Sequence, residues 1–411
     1  MTRIHPLFVV AAVVAGVAGV AGQDRAQDYS QWRGPNRDGS AVGFVEPKAW
    51  PEKLNLKWKI DVGAGYATPL VVDSRVYTLT RQGDDEVMMA LDAGSGRTIW
   101  KTPYRAPYKM NPATSGHGRG PKSTPLYHNG KLYTLGIGGI VSAFNASNGK
   151  LLWQKPGPSV DPLYGTAMSP AADGNMILVH VGGNSNGALT AFDATSGDVR
   201  WAWTGDGPGY ASPIVATLGG TRQVISITQT KVVGLDAANG ELLWQQPWIS
   251  RSVNNSITPI VYRDTVIVSG HELGVKALKP VKSANAWAVE TVWETADVSM
   301  FMSNPVLAGD TLYGLSHKNS GQYFALDVRT GKVLWLGEPR QATNSAVVKA
   351  GNVLFFLNDD GQLIVARTSP TAFEPIQKYT VADSATWAQP TVSGNRIFVK
   401  DVSNLTLWTL N

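Results

Sequence analysis

The chain has 411 residues with 43 Gly, 24 Pro and no Cys, a formal net charge of +5 and only 16% charged residues. The lack of Cys excludes a disulfide, a thiol-linked lipid anchor and haem attached through Cys-x-x-Cys-His, and the basic residues are scattered, so nucleic acid is a poor partner. Hydrophobic content is an ordinary 43% and there is little helical periodicity, which describes a compact all-β protein and not a disordered one.

The first element in chain order is a leader. Arg3 and His5 precede an apolar run over 7–20, and Val20-Ala21-Gly22 before Gln23 has the small residues of a signal-peptidase site. The run is short for a membrane span and polar residues follow at once. Residues 1–22 are therefore expected to be a signal peptide, 23–53 an N-terminal lead-in and 54–411 the folded domain. The expected location is periplasmic or extracellular, with no integral membrane span once the leader is removed. The lead-in reads Gln31-Trp32-Arg33-Gly34-Pro35-Asn36-Arg37-Asp38-Gly39, a succession of turns. Trp32 and Arg33 are expected to cap the fold by packing on an outer sheet.

The rest is a repeat. Its opening marker falls at Pro69, Pro125, Pro170, Pro213, Pro259, Pro305, Ala346 and Pro390, a period of about 46 residues. The close is Ala-Leu-Asp-Ala-x-x-Gly-x-x-x-Trp, clearest at Ala90–Trp100 and Ala325–Trp335. This length suits four short strands with tight turns. In the second repeat, 124–127 reads as the first strand and His128-Asn129-Gly130 as a hairpin turn. Strands follow over 131–135 and 141–144, then a turn over 145–149 that leads into Leu151-Leu152-Trp153. The recurrent Trp is suited to packing between neighbouring sheets while its N–H finds a carbonyl. The interval from Pro69 to Pro125 is long, and its excess over 104–121 reads as an inserted loop. The last repeat has room for three strands only, so 54–60, which contains Trp58, is expected to supply the fourth. The prediction is an eight-bladed β-propeller of four-stranded antiparallel blades, its ring closed by an N-terminal strand, which removes free strand edges. The seventh repeat lacks the Trp; its match over 373–379 is the weakest.

The Ala-Leu-Asp-Ala-x-x-Gly-x-x-x-Trp repeat resembles the pyrroloquinoline-quinone (PQQ)-type propeller repeat. With the leader, the Trp32–Gly39 stretch, Gly209–Pro213 and Thr386–Pro390, the chain is similar to exported PQQ-binding-like β-propeller repeat proteins. The resemblance covers residues 29 to 411 and specifies fold more than function. Its quinone dehydrogenase branch would imply PQQ with Ca²⁺ held by oxygens and an Asp base. The vicinal Cys pair of many such enzymes is absent here, and the acids on the linkers, Asp161, Asp206, Asp297 and Asp383, come singly. The architecture is also similar to that of the propeller lipoprotein of outer-membrane assembly, although no lipid-bearing Cys is present.

Strand order places a candidate site. Linkers into the first strands share one face and ring the mouth of the central channel. The candidate binding residues there are Tyr66, His117, Arg119, Lys122, Tyr164, Tyr210, Asn254, Asn255 and Trp387. Aromatics, amides and a few cations suit a flat or anionic ligand or a peptide. No His-Glu-x-x-His or Gly-x-Ser-x-Gly pattern occurs, and Gly136–Gly139 lies between strands without the helix a dinucleotide site needs. The sequence thus favours an exported non-catalytic propeller that binds a protein, peptide or small ligand at its loop face. No catalytic or metal-ligating residue and no cofactor is expected; a PQQ/Ca-dependent alcohol dehydrogenase is the alternative. The exported protein is expected to begin near Gln23, and mass spectrometry that finds residue 1 intact would reject the cleaved leader.

Overall fold

A computed structural model describes residues 28–160, 162–251, 253–284 and 286–410. The signal peptide expected over 1–22 lies outside the described residues. Eight four-stranded antiparallel sheets are each ordered from first strand to fourth, and they form the predicted propeller. Blade 1 runs Leu70–Val72, Arg75–Gln82, Asp85–Asp92, Thr98–Arg105; blade 2 runs Leu126–His128, Lys131–Leu135, Val141–Asn145, Leu151–Lys155. In blade 8, Thr391–Ser393, Arg396–Lys400 and Asn404–Thr409 are completed by Asn55–Asp61, which pairs antiparallel with Asn404–Thr409. The two chain ends thus close the ring. First strands of neighbouring blades touch one another around the channel.

The repeat motif works between blades. The fourth-strand Trp of one blade donates its indole N–H to a carbonyl in the next blade's turn. Trp58 bonds the Ala93 oxygen at 3.1 Å, Trp100 that of Ala146 at 3.2 Å, Trp153 that of Ala194 at 3.3 Å and Trp201 that of Ala237 at 3.1 Å. The glycine of that next turn lies against the same indole. A Cβ on Gly240, whose φ is +75°, would stand 2.5 Å from the Trp201 ring. The glycine therefore serves twice, for left-handed backbone and for room. Trp244 is the exception. Blade 5 replaces the short turn with a long hairpin of Gly274–Ser283 and Ala286–Thr295, so Trp244 donates to Gln223 Oε1 of its own blade at 2.6 Å. The Trp-less seventh blade still forms its fourth strand, Pro375–Thr380, with Tyr379 buried and bonded to the Pro51 carbonyl at 2.8 Å.

The Thr-Pro and Ser-Pro markers form a second, inner belt. From Pro125 to Pro305 the side chain before the Pro accepts a backbone N–H from the preceding blade. Thr68 N bonds Thr124 Oγ1 at 3.1 Å, Thr124 N bonds Ser169 Oγ at 3.0 Å, Ser169 N bonds Ser212 Oγ at 2.9 Å, and Thr258 N bonds Asn304 Oδ1 at 2.7 Å. At the closure a different bond links the blades, with the Thr391 hydroxyl donating to the Pro69 carbonyl.

The lead-in does not pack on an outer sheet as expected. It enters the channel. Tyr29 bridges Val71, and Ser40 and Val42 bridge Lys349 and Ser393 at the far ends of first strands. Arg33 donates to the Pro305 carbonyl at 2.6 Å, and Arg37 donates to the Pro170 and Pro213 carbonyls at 2.8 and 3.0 Å. Trp32 reaches Thr258 Oγ1 at 3.4 Å. The sequence signal misleads because the partners are main-chain carbonyls on the inner wall, which carry no residue code.

Gly240→Ala should cost about 1–3 kcal/mol, because it overpacks Trp201 and strains a positive φ. Deletion of 54–60 should lower the thermal midpoint of the whole domain, since it opens the ring. Chemical and thermal unfolding test both; a deletion that unfolds like the parent would refute closure.

Candidate functional site

The linkers into the first strands ring a cavity of about 450 Å³ at the channel mouth. Its floor is the indole of Trp32 with Ser212, Thr258 and Asn304 of the inner belt, and its walls carry Tyr66, Tyr164, Tyr210, Phe301 and Trp387. Asn254, Ser256 and Asn344 add amides and a hydroxyl. The inserted loop forms one side. It contains the short 3₁₀ turn Pro112–His117, with Asn111 accepting the Ala113 N–H at 3.0 Å. Its His117 ring meets the Trp387 ring edge-on, with centroids 4.4 Å apart, so linkers of blades 2 and 8 touch across the mouth. The loop's base is sewn down by buried Arg81, which donates to the Arg119 carbonyl at 2.9 Å and to the Ala106 carbonyl.

Seven of the nine sequence-derived candidates line this cavity: Tyr66, His117, Lys122, Tyr164, Tyr210, Asn254 and Trp387. Arg119 and Asn255 are not among its lining residues. Arg119 turns outward, donates to the Tyr108 carbonyl at 3.0 Å and lies 3.8 Å from Asp84. Asn255 is fully buried, its amide donating to the Thr228, Gln229 and Trp248 carbonyls. Sequence reasoning passed over Trp32, Ser212, Thr258 and Asn304. The belt residues were visible as the positions before each Pro, but their pattern reads as scaffold.

Lys122 is the cavity's ammonium. Its Nζ donates to the Tyr164 carbonyl at 3.0 Å, and burial pulls its pKa down to about 8. Burial and the neighbouring Lys122 charge hold His117 below the usual imidazole range. Burial pushes the Tyr210 phenol well up, and its oxygen accepts the Tyr164 N–H at 3.3 Å. Tyr164 and Tyr210 rings lie 5.9 Å apart at 42°.

No carboxylate lines the cavity among the described residues. Asp206 is committed elsewhere. It accepts from Thr228 Oγ1 at 2.6 Å, Thr230 N and Oγ1 at 2.7 Å and Gly207 N at 2.9 Å. Burial opposes these bonds, which still hold its carboxyl below the ordinary range. Asp383 pairs with Lys59 at 2.5 Å on the exposed rim, Asp297 is exposed, and Asp161 lies outside the described residues. No group of three His, Cys, Asp or Glu stands together among the described residues. Hard cations require clustered anionic oxygens, so the donor set here does not fit Ca²⁺.

Three comparisons bear on this site. The family model described as "Outer membrane protein assembly factor BamB" matches residues 52–154 and 83–337. The outer membrane protein assembly factor BamB of Yersinia pestis is 24% identical over 342 residues, covering 80% of this chain and 71% of that protein. The dehydrogenase subunit of the quinone alcohol dehydrogenase of Komagataeibacter europaeus is 31% identical over 160 residues, which cover 36% of this chain and 21% of that subunit. In three dimensions, the quinohemoprotein alcohol dehydrogenase of Comamonas testosteroni aligns with a TM-score of 0.69 at 14% identity, over 95% of this chain and 81% of that one. At that identity the likeness concerns the fold alone.

Beneath the mouth, His180 is fully buried. Its Nε2–H donates to the Asp206 carbonyl at 3.0 Å and its Nδ1 has no partner. Burial pulls this imidazole down to about 4. The unfolded chain takes up a proton near pH 6.5 and the folded chain near 4, so stability present above 6.5 is lost as pH falls between them. The loss should be on the order of 3 kcal/mol. Urea unfolding at stepped pH should show this slope in the parent and a flatter one in His180→Gln.

Proposed function

The chain belongs to the outer membrane protein assembly factor BamB family of propellers, and we propose that it is an exported, non-catalytic recognition protein whose ligand seats in the channel-mouth cavity. The observation that carries this reading is the lining itself. A pocket of about 450 Å³ walled by aromatic rings, with a few amides, hydroxyls and one amine, has the make-up of a binding site. Among the described residues it has no carboxylate that could act as a base or hold a hard cation. Loops carried on a rigid scaffold are suited to recognition.

The ligand is a small molecule, or a side chain or end of a protein partner. BamB relatives are named for outer membrane protein assembly, which supports protein binding as the wider role. No described helix is long and apolar enough to cross a membrane. Export agrees with the leader.

The second reading is a PQQ-dependent alcohol dehydrogenase. It draws support from the quinone dehydrogenase relatives and from Trp387, whose flat face could border a quinone. In that case Trp387, Tyr164 and Tyr210 would hold the quinone, which would supply hydride acceptance. The missing carboxylate weighs against it.

Calorimetric titration of PQQ with Ca²⁺, alongside a dye-reduction assay with alcohols, separates the two. No saturable heat at micromolar concentrations and no dye reduction are expected. Micromolar or tighter binding that Trp387→Ala abolishes, together with alcohol-dependent dye reduction, would overturn the non-catalytic reading.

A further inference from the structure

We propose that the mouth cavity selects a flat ligand with a single negative charge, an aromatic monocarboxylate, and that the Lys122 ammonium reads that charge; this rests on the reading of the cavity as a ligand site. The geometry carries the inference. The Lys122 Nζ spends one N–H on the Tyr164 carbonyl at 3.0 Å and faces a cavity with no described carboxylate on its wall. Burial is the one influence that shifts it, with no acid offsetting the cost. A half-buried cation without a counter-charge is an expensive arrangement. A carboxylate beside Lys122 would supply the missing partner through a charge-assisted hydrogen bond.

The rest of the wall limits the charge to one. His117 is the second basic group, and both burial and Lys122 keep it neutral near pH 7. The phenols of Tyr66 and Tyr210 are pushed up by burial, so they stay protonated. Asp401, whose charge also raises Tyr66, is tied to the Ser403 and Asn404 N–H groups at 3.0 and 2.6 Å. A ligand with several carboxylates would leave all but one unpaired, and no described acid cluster could hold a bridging cation. The Tyr164–Tyr210 and His117–Trp387 rings supply flat faces on two sides.

Two sources present this chemistry: a free aromatic acid, and a peptide that ends in an aromatic residue. The test uses the exported full-length protein and isothermal titration. One probe pair is 2-naphthoate and 2-naphthamide; the other is N-acetyltryptophan and its amide; PQQ with Ca²⁺ is the competitor. Each carboxylate should bind roughly tenfold or more tighter than its amide, as a hydrogen bond to a charged group would give. The stronger of the two pairs identifies the source. Lys122→Met should abolish the preference while the amides still bind. In the parent, carboxylate affinity should be flat between about pH 7 and about pH 8, the Lys122 value, and fall above it, whereas amide affinity should not change. That pH profile decides the matter if Lys122→Met does not fold. Equal affinities, a preference that survives in Lys122→Met, or PQQ outranking the monocarboxylates would overturn the inference and leave the cavity reading standing. No binding by either member of either pair would overturn both.

Discussion

One contact sets the spacing on which the rest of the ring depends: an indole of one blade seated against a glycine of the next. At five boundaries, served by Trp58, Trp100, Trp153, Trp201 and Trp293, the Trp and the Gly are partners across the blade boundary, not within the blade. The ring of Trp201 occupies the space that a side chain at position 240 would need, and its N–H takes the Ala237 carbonyl at the same turn. An indole of this size buries enough apolar surface that truncating it typically costs about 3–5 kcal/mol. Its hydrogen bond fixes the angle at which that surface is buried. Where it recurs, this contact makes the angle between blades a consequence of two residue types. Trp58 on Ala93 is the same contact made between the closing strand and blade 1, so closure needs no separate device and no disulfide.

The inner wall solves a different problem. Backbone groups near the axis have no sheet partner and little water. Proline at the start of the first strand removes one donor, and the Ser or Thr before it takes a neighbouring N–H. The remaining carbonyls point inward, and the lead-in brings Arg33 and Arg37 to meet them. Two buried guanidiniums are costly, and burial draws both below their usual range. Carbonyl acceptors at 2.6 to 3.0 Å offset that cost. The channel is thereby filled from one side, and what is left at the other is a pocket with a floor.

Much of this was legible in the sequence. Blade number and the closing strand follow from the period of Pro, Gly and Trp, since these residues are fixed by packing. The mouth positions of Tyr66, Lys122, Tyr164, Tyr210, Asn254 and Trp387 follow from topology alone, because linkers between strand four and strand one must share a face. Side-chain direction within a linker does not follow. Asn254 faces the cavity and Asn255, its neighbour, is buried on three carbonyls. Arg119 sits in the same insertion as His117 and turns outward to Asp84. The meeting of His117 with Trp387 depends on ring closure bringing the linkers of blades 2 and 8 side by side, which no local pattern encodes. Trp32 was misplaced for a related reason, as turn-rich sequence has no period from which a buried face could be read.

The two kinds of relative share this ring, and the ring does not choose between them. The choice lies in what the linkers carry and whether it is free to act. An acid on a linker is useful to a metal only if its oxygens are available. Asp206 is a linker acid, yet both of its oxygens are engaged, by two threonine hydroxyls and two backbone N–H groups. Turning it into the cavity would strip all four bonds and leave Thr230 N without its partner, a loss that a Ca²⁺ with one carboxylate ligand would not repay. Lys122 is in the opposite state. It is held in place by a single carbonyl, is partly desolvated, and has no charge to balance it. On the proposed reading the mouth gains from an incoming anion and not from an incoming cation, and that asymmetry would separate this propeller's chemistry from that of a calcium quinoprotein built on the same frame.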